Sequence, residues 1–488
     1  MALLSNAQKH RSLLLAKAHY HRAARRRHHG SFLMPLAASA MAASVHSQSS
    51  PVAHADAAFA GTPTHLRKQR DFDTALPNTC ATGVISKQDP AAAAADAKAN
   101  GETTNPWRSL LMTLYSLILP ERPPQAMGVE NDFLDDLKVS SVPEHICDVL
   151  QGEQHELFWR YDMDSYAANS HNEDRTQYVS DVITTDATGE SSSVFFCACY
   201  DGHGGEEAVE FVHNNLYPNL RSHLEAGELS VGHAITKAFM DTDQEFNRRS
   251  RLKFEQGVWS ACSVGACAVI ALVYEKKLYV ASCGDCRAIM AFREPDGSLS
   301  VEQITLDHSA NEEREQRRLR VLHPDDYDIV REIGVNNYYV KGRLQPTRSI
   351  GDTYMKCKEV NKAPMPRGLR IHGSFKRPYI TAVPDVFEID LNDRQPEFLV
   401  LGSDGLYGEV NNEDIVNMVA EFRDKGVENV SMALRSAVLE RVAKVYGFSA
   451  SEMMQIRPGE RRNYHDDITI DILHFSAPGE DTRDAEAA

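Results

Sequence analysis

The sequence predicts one large domain that mixes β-strands with amphipathic helices, over residues 150–476, behind a long N-terminal extension of different composition. Three observations predict it. From about residue 150 to 475 short β-rich runs alternate with helix-spaced apolar residues, a texture absent before that point. Several of the apolar runs end on an acidic residue followed by glycine, as in "VFFCACYDGHGG" over 194–205. With 488 residues and 42% hydrophobic content, the chain has the length and apolar fraction to bury a large core.

The extension comes first. Residues 1–55 hold seven Lys/Arg and no Asp or Glu, which leaves the rest of a chain of net charge −17 at −24. So acidic a body argues against nucleic acid as its partner. Residues 1–46 mix leucine with arginine and histidine, the composition of a mitochondrial transit peptide, so a location in the mitochondrial matrix is expected. A basic tail without a targeting role, on a cytoplasmic protein, is the alternative. Residues 47–149 read as a low-complexity linker and extension, with "AAAAADAKA" inside them. The stretch "WRSLLMTLYSLIL", 107–119, suits a short helix that packs on the domain or lies on a membrane surface. No apolar run reaches the roughly 18–20 residues that span a bilayer, so no transmembrane helix is expected. Residues 477–488 read as an acidic disordered tail.

Within the domain, Ala208, Phe211, Val212 and Leu216 mark a helix expected to end at Pro218. Ile235, Phe239, Thr242 and Phe246 mark a second. Strands are expected over 266–274, 278–283, 287–292 and 398–402. Ile415, Val419 and Phe422 form one further helix face, and Leu434, Val438, Arg441 and Val445 another that stops at Gly447. The run "DITIDILHF" closes the domain as a last strand. Nine cysteines, an odd number over this length, read as free thiols in a reducing compartment. Cys197 and Cys199, and the C-x-x-C pair Cys283 and Cys286, raise a zinc or redox alternative. It lacks a second pair of the right spacing, since four residues separate Cys262 from Cys267, so burial as small apolar residues is the preferred reading.

A strand that stops at Asp201-Gly202 delivers a carboxylate to a sheet end, and the glycine there exposes its carbonyl oxygen. Both are ligands for a hard divalent cation. The pattern recurs at Asp404 in "FLVLGSDG", at Asp466 and Asp467 in "YHDDITI", and at Glu173-Asp174 in "NSHNEDR". Loop carboxylates are ordinarily turn formers and caps. Four such sites at strand boundaries point instead to a shared metal cluster. A phosphate-cradling nucleotide loop at "DGHGG" is the alternative; no G-x-x-x-x-G-K-[ST] accompanies it, and Glu206 and Glu207 would repel a phosphate there.

Glu173-Asp174, "YDGHGG", "SVGACAV", "LYVASCGDCRA", "LDHSANEERE", "LQPTRSIGD", "FLVLGSDGLY" and "HDDITI" follow one another in an order that resembles the metal-dependent protein serine/threonine phosphatases, type 2C. The resemblance runs over about two thirds of the chain. It implies an α+β fold in four layers, α-β-β-α, with a central antiparallel β-sandwich flanked by helices and a binuclear magnesium or manganese centre at one sandwich edge. It implies that Asp201 bridges the two ions, that Glu173 and the Gly202 carbonyl bind one, and that Asp404 and Asp466 hold the other. Asp174 would orient water from behind the ligands, and Asp285 would help hold a third, weaker ion. A bridging water would attack phosphorus in line while His203, as general acid, protonates the leaving serine or threonine oxygen.

Departures from the family pattern matter. Many members grip the phosphate with an arginine four residues before the Glu-Asp pair, where this chain has Asn169. Asparagine supplies no cation, and Arg175 and Lys341 are the substitutes considered. Cys286 replaces a usual serine and Tyr407 a usual tryptophan. "AANSHNEDR", "NEEREQRRLRVLHPDD", "VKGRLQPTRSIGD" and "RPYITAVPDV" resemble the mitochondrial pyruvate dehydrogenase phosphatase branch, which implies phosphorylated pyruvate dehydrogenase as the phosphoprotein substrate. An insertion at 355–378 holds seven Lys/Arg against the single acid Glu359, and reads either as a docking surface for an acidic substrate or as a solvated loop. A catalytically silent scaffold and a cytosolic signalling phosphatase are the rival readings. The retained oxygen at every ligand position favours an enzyme.

Overall fold

The structure is a computed structural model that describes residues 145–151, 158–373, 375–391 and 394–476. The readings of the transit peptide, most of the linker, the 107–119 segment and the acidic tail lie outside those residues. In chain order the strands are β1 (His145–Gln151), β2 (Arg160–Tyr166), β3 (Asp174–Thr184), β4 (Ser191–His203), β5 (Gly265–Tyr274), β6 (Lys277–Cys283) and β7 (Arg287–Arg293). They continue with β8 (Leu299–Gln303), β9 (Val330–Glu332), β10 (Tyr338–Val340), β11 (Ile350–Gly351), β12 (Asp385–Ile389), β13 (Gln395–Gly402) and β14 (Ile468–His474). One sheet runs β1-β2-β14-β13-β7-β8 and the other β12-β6-β5-β4-β3, with β11 added beside β5; every pairing is antiparallel.

The continuous apolar run in β4 follows from what lies on each side of it. Val194, Phe196, Ala198 and Tyr200 pack against helices α1 (Glu207–Ala226) and α2 (Val231–Glu255). Phe195, Cys197 and Cys199 point the other way, into a core shared with Ala288, Met290, Leu399 and Leu401 of the facing sheet. A strand covered on both faces loses the polar half of its alternation. On the far side, Phe398, Val400, Ile470 and Ile472 meet Ile415, Val419, Leu434 and Val438, residues of helices that span Asn412–Asp424 (α3) and Val430–Tyr446 (α4). The layers are therefore α-β-β-α, the four-layer α+β sandwich that the motifs imply.

Two helix expectations need correction. Pro218 does not end α1, which continues to Ala226, because Leu220 and Leu224 beyond it are buried in the helix-side core and outweigh the one lost backbone hydrogen bond. In α4 the buried face runs through Leu434, Val438, Leu439 and Val442, while Val445 is exposed and Arg441 pairs with Asp414 at the surface. Cys283 lies in the helix-side core and Cys286 in the inter-sheet core, so the C-x-x-C pair is split between two faces of the sheet. All eight described cysteines are free, and burial pushes the Cys199 thiol up to about 11. No helix among the described residues is long and apolar enough to cross a membrane.

Residues between β8 and β12 carry a small core of their own, with Leu319, Ile329, Tyr354, Met355, Val360, Met365 and Tyr379. The basic insertion belongs to it. Its apolar residues are buried there, while Lys358, Lys362, Arg367 and Lys376 are exposed.

Candidate active site

Strand ends bring the acids together. β3 begins where β4 finishes, with Asp174 directly opposite Asp201, and the Gly202 N–H donates to the Glu173 carbonyl at 2.9 Å. A Cβ on residue 202 would stand 2.5 Å from that oxygen, so only glycine allows the two backbones to approach this closely. From the other sheet, Asp404 follows β13 with its N–H 3.5 Å from Asp201 Oδ2, and Asp466 and Asp467 immediately precede β14.

Asp467 has a separate task that the sequence did not disclose. Its carboxylate accepts hydrogen bonds from the N–H groups of Ala168 (2.6 Å), Asn169 (2.8 Å) and Glu173 (2.8 Å). It thereby fixes the loop that presents Glu173 to the end of β14. The doubled aspartate in "HDDITI" was the available signal: Asp467 turns back to the backbone, while its neighbour Asp466 pairs with Arg462.

The acids share one electrostatic field. Burial holds the carboxyls of Glu173, Asp174 and Asp201 above the ordinary range, and their neighbours add to it: Asp467 acts on Glu173 and on Asp174, and Asp174 and Asp404 act on Asp201. Asp285 is pushed up to about 6 by desolvation and by the charge of Asp404. Asp404, though exposed at the surface, is also raised by desolvation on its protein side, against the opposing charge of Arg462. Asp466 pairs with that same arginine. Asp174 Oδ2 is buried without a hydrogen-bond partner among the described residues. Crowded oxygen-only donors that repel one another, half-buried at Glu173, Asp201 and Asp466 and open to solvent at Asp404, with the buried Asp174 behind them, fit hard divalent cations of the magnesium and manganese kind.

A second group of metal-capable side chains, His145, Cys147 and Asp164, lies on β1 and β2. Arg435 already supplies the positive charge there, with its Nε 3.1 Å from Asp164 Oδ2 and its Nη2 3.2 Å from His145 Nε2.

His203, the last residue of β4, is held by Asp352 through Nε2 and Oδ2 at 2.7 Å. Ser349 donates to the same carboxylate oxygen at 2.6 Å. Burial alone would lower the His203 pKa; the charge and hydrogen bond of Asp352 reverse this and raise it, so the ring stays protonated to higher pH. The space for the pair comes from Gly265, opposite His203 on β5, where a Cβ would lie 2.1 Å from Asp352 Oδ2. Asp352 was missed by sequence reasoning. It lies 149 residues from His203, and only its place at the end of "RSIGD" could have drawn attention to it.

The phosphate-binding candidates are spent elsewhere. The Asn169 amide donates to Asp467 (2.9 Å) and Glu173 (3.2 Å). Arg175 is buried, paired with Glu210 and Glu206 and bonded to the carbonyls of Asn172 and Asp174. Lys341 is buried between Asp326 and Asp328. Tyr407 lies beneath the Arg287 guanidinium, 4.7 Å from ring centre to Cζ.

A helix-flanked antiparallel sandwich with an acidic cleft at its edge and an acid-held imidazole beside it defines a metal-dependent phosphatase. The family model described as "Protein phosphatase 2C" matches residues 165–445, and the chain belongs to that family. It is 33% identical over 319 residues to Probable protein phosphatase 2C 67 of Arabidopsis thaliana, covering 65% of this chain and 84% of that one. Against Probable protein phosphatase 2C 78 of Oryza sativa subsp. japonica it is 34% identical over 325 residues, covering 65% and 80%. The crystal structure of serine-threonine phosphatase 2C from Toxoplasma gondii superimposes with a TM-score of 0.47 at 18% identity, over 69% of this chain and 100% of that one.

Proposed function

We propose that this type 2C protein phosphatase hydrolyses phosphoserine and phosphothreonine in a protein substrate at the cleft formed by Glu173, Asp201, Gly202, Asp404 and Asp466. The observation that carries the reading is the meeting of acids from both sheets beside the His203–Asp352 pair. Two divalent cations bound by those residues, with a weaker third near Asp285, would offset phosphoryl charge and lower the pKa of an attacking water. The chain's own groups do the rest. His203 hands a proton to the leaving serine or threonine oxygen, and Asp352 orients the ring and keeps it charged. Asp467 holds the 168–173 loop so that Glu173 faces the cleft, and Asp174 stands behind Asp201 to orient the nucleophile.

The test is manganese- and magnesium-dependent hydrolysis of an aryl phosphate and a phosphoserine peptide by the full chain, beside Asp201→Asn and Asp404→Asn. Cation-dependent turnover that both variants abolish supports the reading. A folded, cation-loaded wild type inactive on both compounds would turn it toward a silent scaffold.

The finer reading is a mitochondrial enzyme that acts on phosphorylated pyruvate dehydrogenase. Its support is the acid-free basic segment 1–46 and the four blocks that resemble that branch. Fusion of residues 1–60 to a fluorescent reporter tests the compartment, and a cytosolic reporter would remove the main support for this substrate. Comparison of kcat/KM on phosphorylated pyruvate dehydrogenase with that on an unrelated phosphoprotein tests the substrate itself.

A further inference from the structure

We propose that Arg462 is the guanidinium that grips the substrate phosphate in this site, in place of the arginine that the Asn169 position lacks. The inference rests on the phosphatase reading and adds a residue to it. Arg462 lies in a single helical turn, Arg461–Asn463, four residues before Asp466. The turn is pinned by its neighbour. Arg461 is buried, donates to the carbonyls of Ala167 (2.6 Å) and Ile456 (2.8 Å), and stacks over Tyr166 with 4.4 Å between Cζ and the ring centre. Gly459 N–H donates to the Ala168 carbonyl at 2.7 Å. The backbone that carries Arg462 is thus tied to the segment that leads into Asn169.

From that turn the Arg462 side chain, about one third exposed, reaches Asp466. Its charge also acts on Glu173, which leads into one sheet, and on Asp404, which follows a strand of the other. Other cations are committed: Arg175 to Glu206 and Glu210, Lys341 to Asp326 and Asp328, and Arg287, which follows the Asp285 turn, to Asp307. The Asn169 amide is committed to carboxylates as well. Once Asp466 serves a divalent cation, its pairing with Arg462 weakens, and the planar fork is left facing an anion. A phosphoryl group, with oxygens spaced for bidentate donation, is the anion whose geometry it matches.

Two measurements on the full chain test this. The first is calorimetric titration of the manganese-loaded protein with inorganic phosphate, for wild type, Arg462→Ala and Arg462→Lys, which needs no turnover. Loss of one charge-assisted contact predicts phosphate affinity lower by about 10- to 100-fold in Arg462→Ala, with partial recovery in Arg462→Lys. The second is aryl phosphate kinetics, in which KM should rise by a similar factor and kcat fall less. Manganese affinity, titrated separately, should be unchanged or tighter, because a competitor for Asp466 has gone. Unaltered phosphate affinity in Arg462→Ala overturns the proposal, as does weaker manganese binding with phosphate affinity restored at saturating manganese, since that marks a prop for Asp466. A wild type that binds phosphate but turns over no ester defeats the phosphatase reading alone. A wild type that binds no phosphate defeats the Arg462 assignment.

Discussion

Asp471 offers a sharp test of how the sandwich is held together. It sits in β14, opposite Leu401 of β13 and Met163 of β2, and is almost wholly buried. Tyr161 Oη donates to its Oδ1 at 2.6 Å and Thr176 Oγ1 to the same atom at 2.7 Å, while Oδ2 has no partner among the described residues. Burial pushes this carboxyl up to about 7, against the pull of those two donors. An unfolded aspartate titrates near about 3.9, so between the two values the folded protein keeps a proton that the unfolded chain has released. Stability from this group is complete at low pH and is lost as pH rises through about 7. The full loss is about 4 kcal/mol, of which about 2.5 kcal/mol falls between pH 5 and pH 8. Asp471→Asn keeps the acceptor for Tyr161 and Thr176 and removes the titration. Urea denaturation of both proteins with chelator present, at pH 5 and pH 8, should show the variant gaining about 2.5 kcal/mol on wild type across that interval. An identical pH dependence in the two proteins would refute the reasoning.

Three further outcomes are expected. Asp352→Asn should lower kcat on a phosphoserine peptide about 100-fold, with a smaller loss on p-nitrophenyl phosphate, whose leaving group needs no proton; equal losses would reduce Asp352 to a scaffold role. Gly265→Ala places a methyl group against both His203 and Asp352, and should match that kcat defect while calorimetric manganese affinity stays intact; wild-type kcat would show that the pair is dispensable. Changing Lys358, Lys362, Arg367 and Arg370 together to Glu should raise KM for an acidic phosphoprotein and spare an aryl phosphate, and equal effects on the two would remove the docking role of the insertion.

Much of this was legible in the sequence because it was local. The run through Phe195 and Phe196 declares a strand covered on both faces, and the acids at 173–174, 201, 404 and 466–467 declare themselves by standing at strand ends. What stayed hidden depends on distant partners. Nothing near Pro218 says that Leu220 and Leu224 will be buried strongly enough to carry a helix past it. In the last long helix, Val445 looks apolar in sequence, yet none of the described elements covers it. Asp352 acquires its meaning only from His203 across β5 and β11, and Arg462 only from acids delivered by two sheets. Asn169 is the converse case: in sequence it stands where a cation is expected, and in the structure its amide ties Glu173 to Asp467.

The position of β14 has a consequence for how the chain is made. The last strand of the domain is inserted between β2, among the first, and β13, and it arrives together with Asp466 and Asp467. A ribosome that has released everything up to β13 has therefore made a sheet with two open edges that lacks both Asp466 and the Asp467 tie to the 168–173 loop. Catalytic competence and edge closure come in one late step, so nascent or prematurely terminated chains are both inactive and aggregation-prone, and a prompt target for quality control.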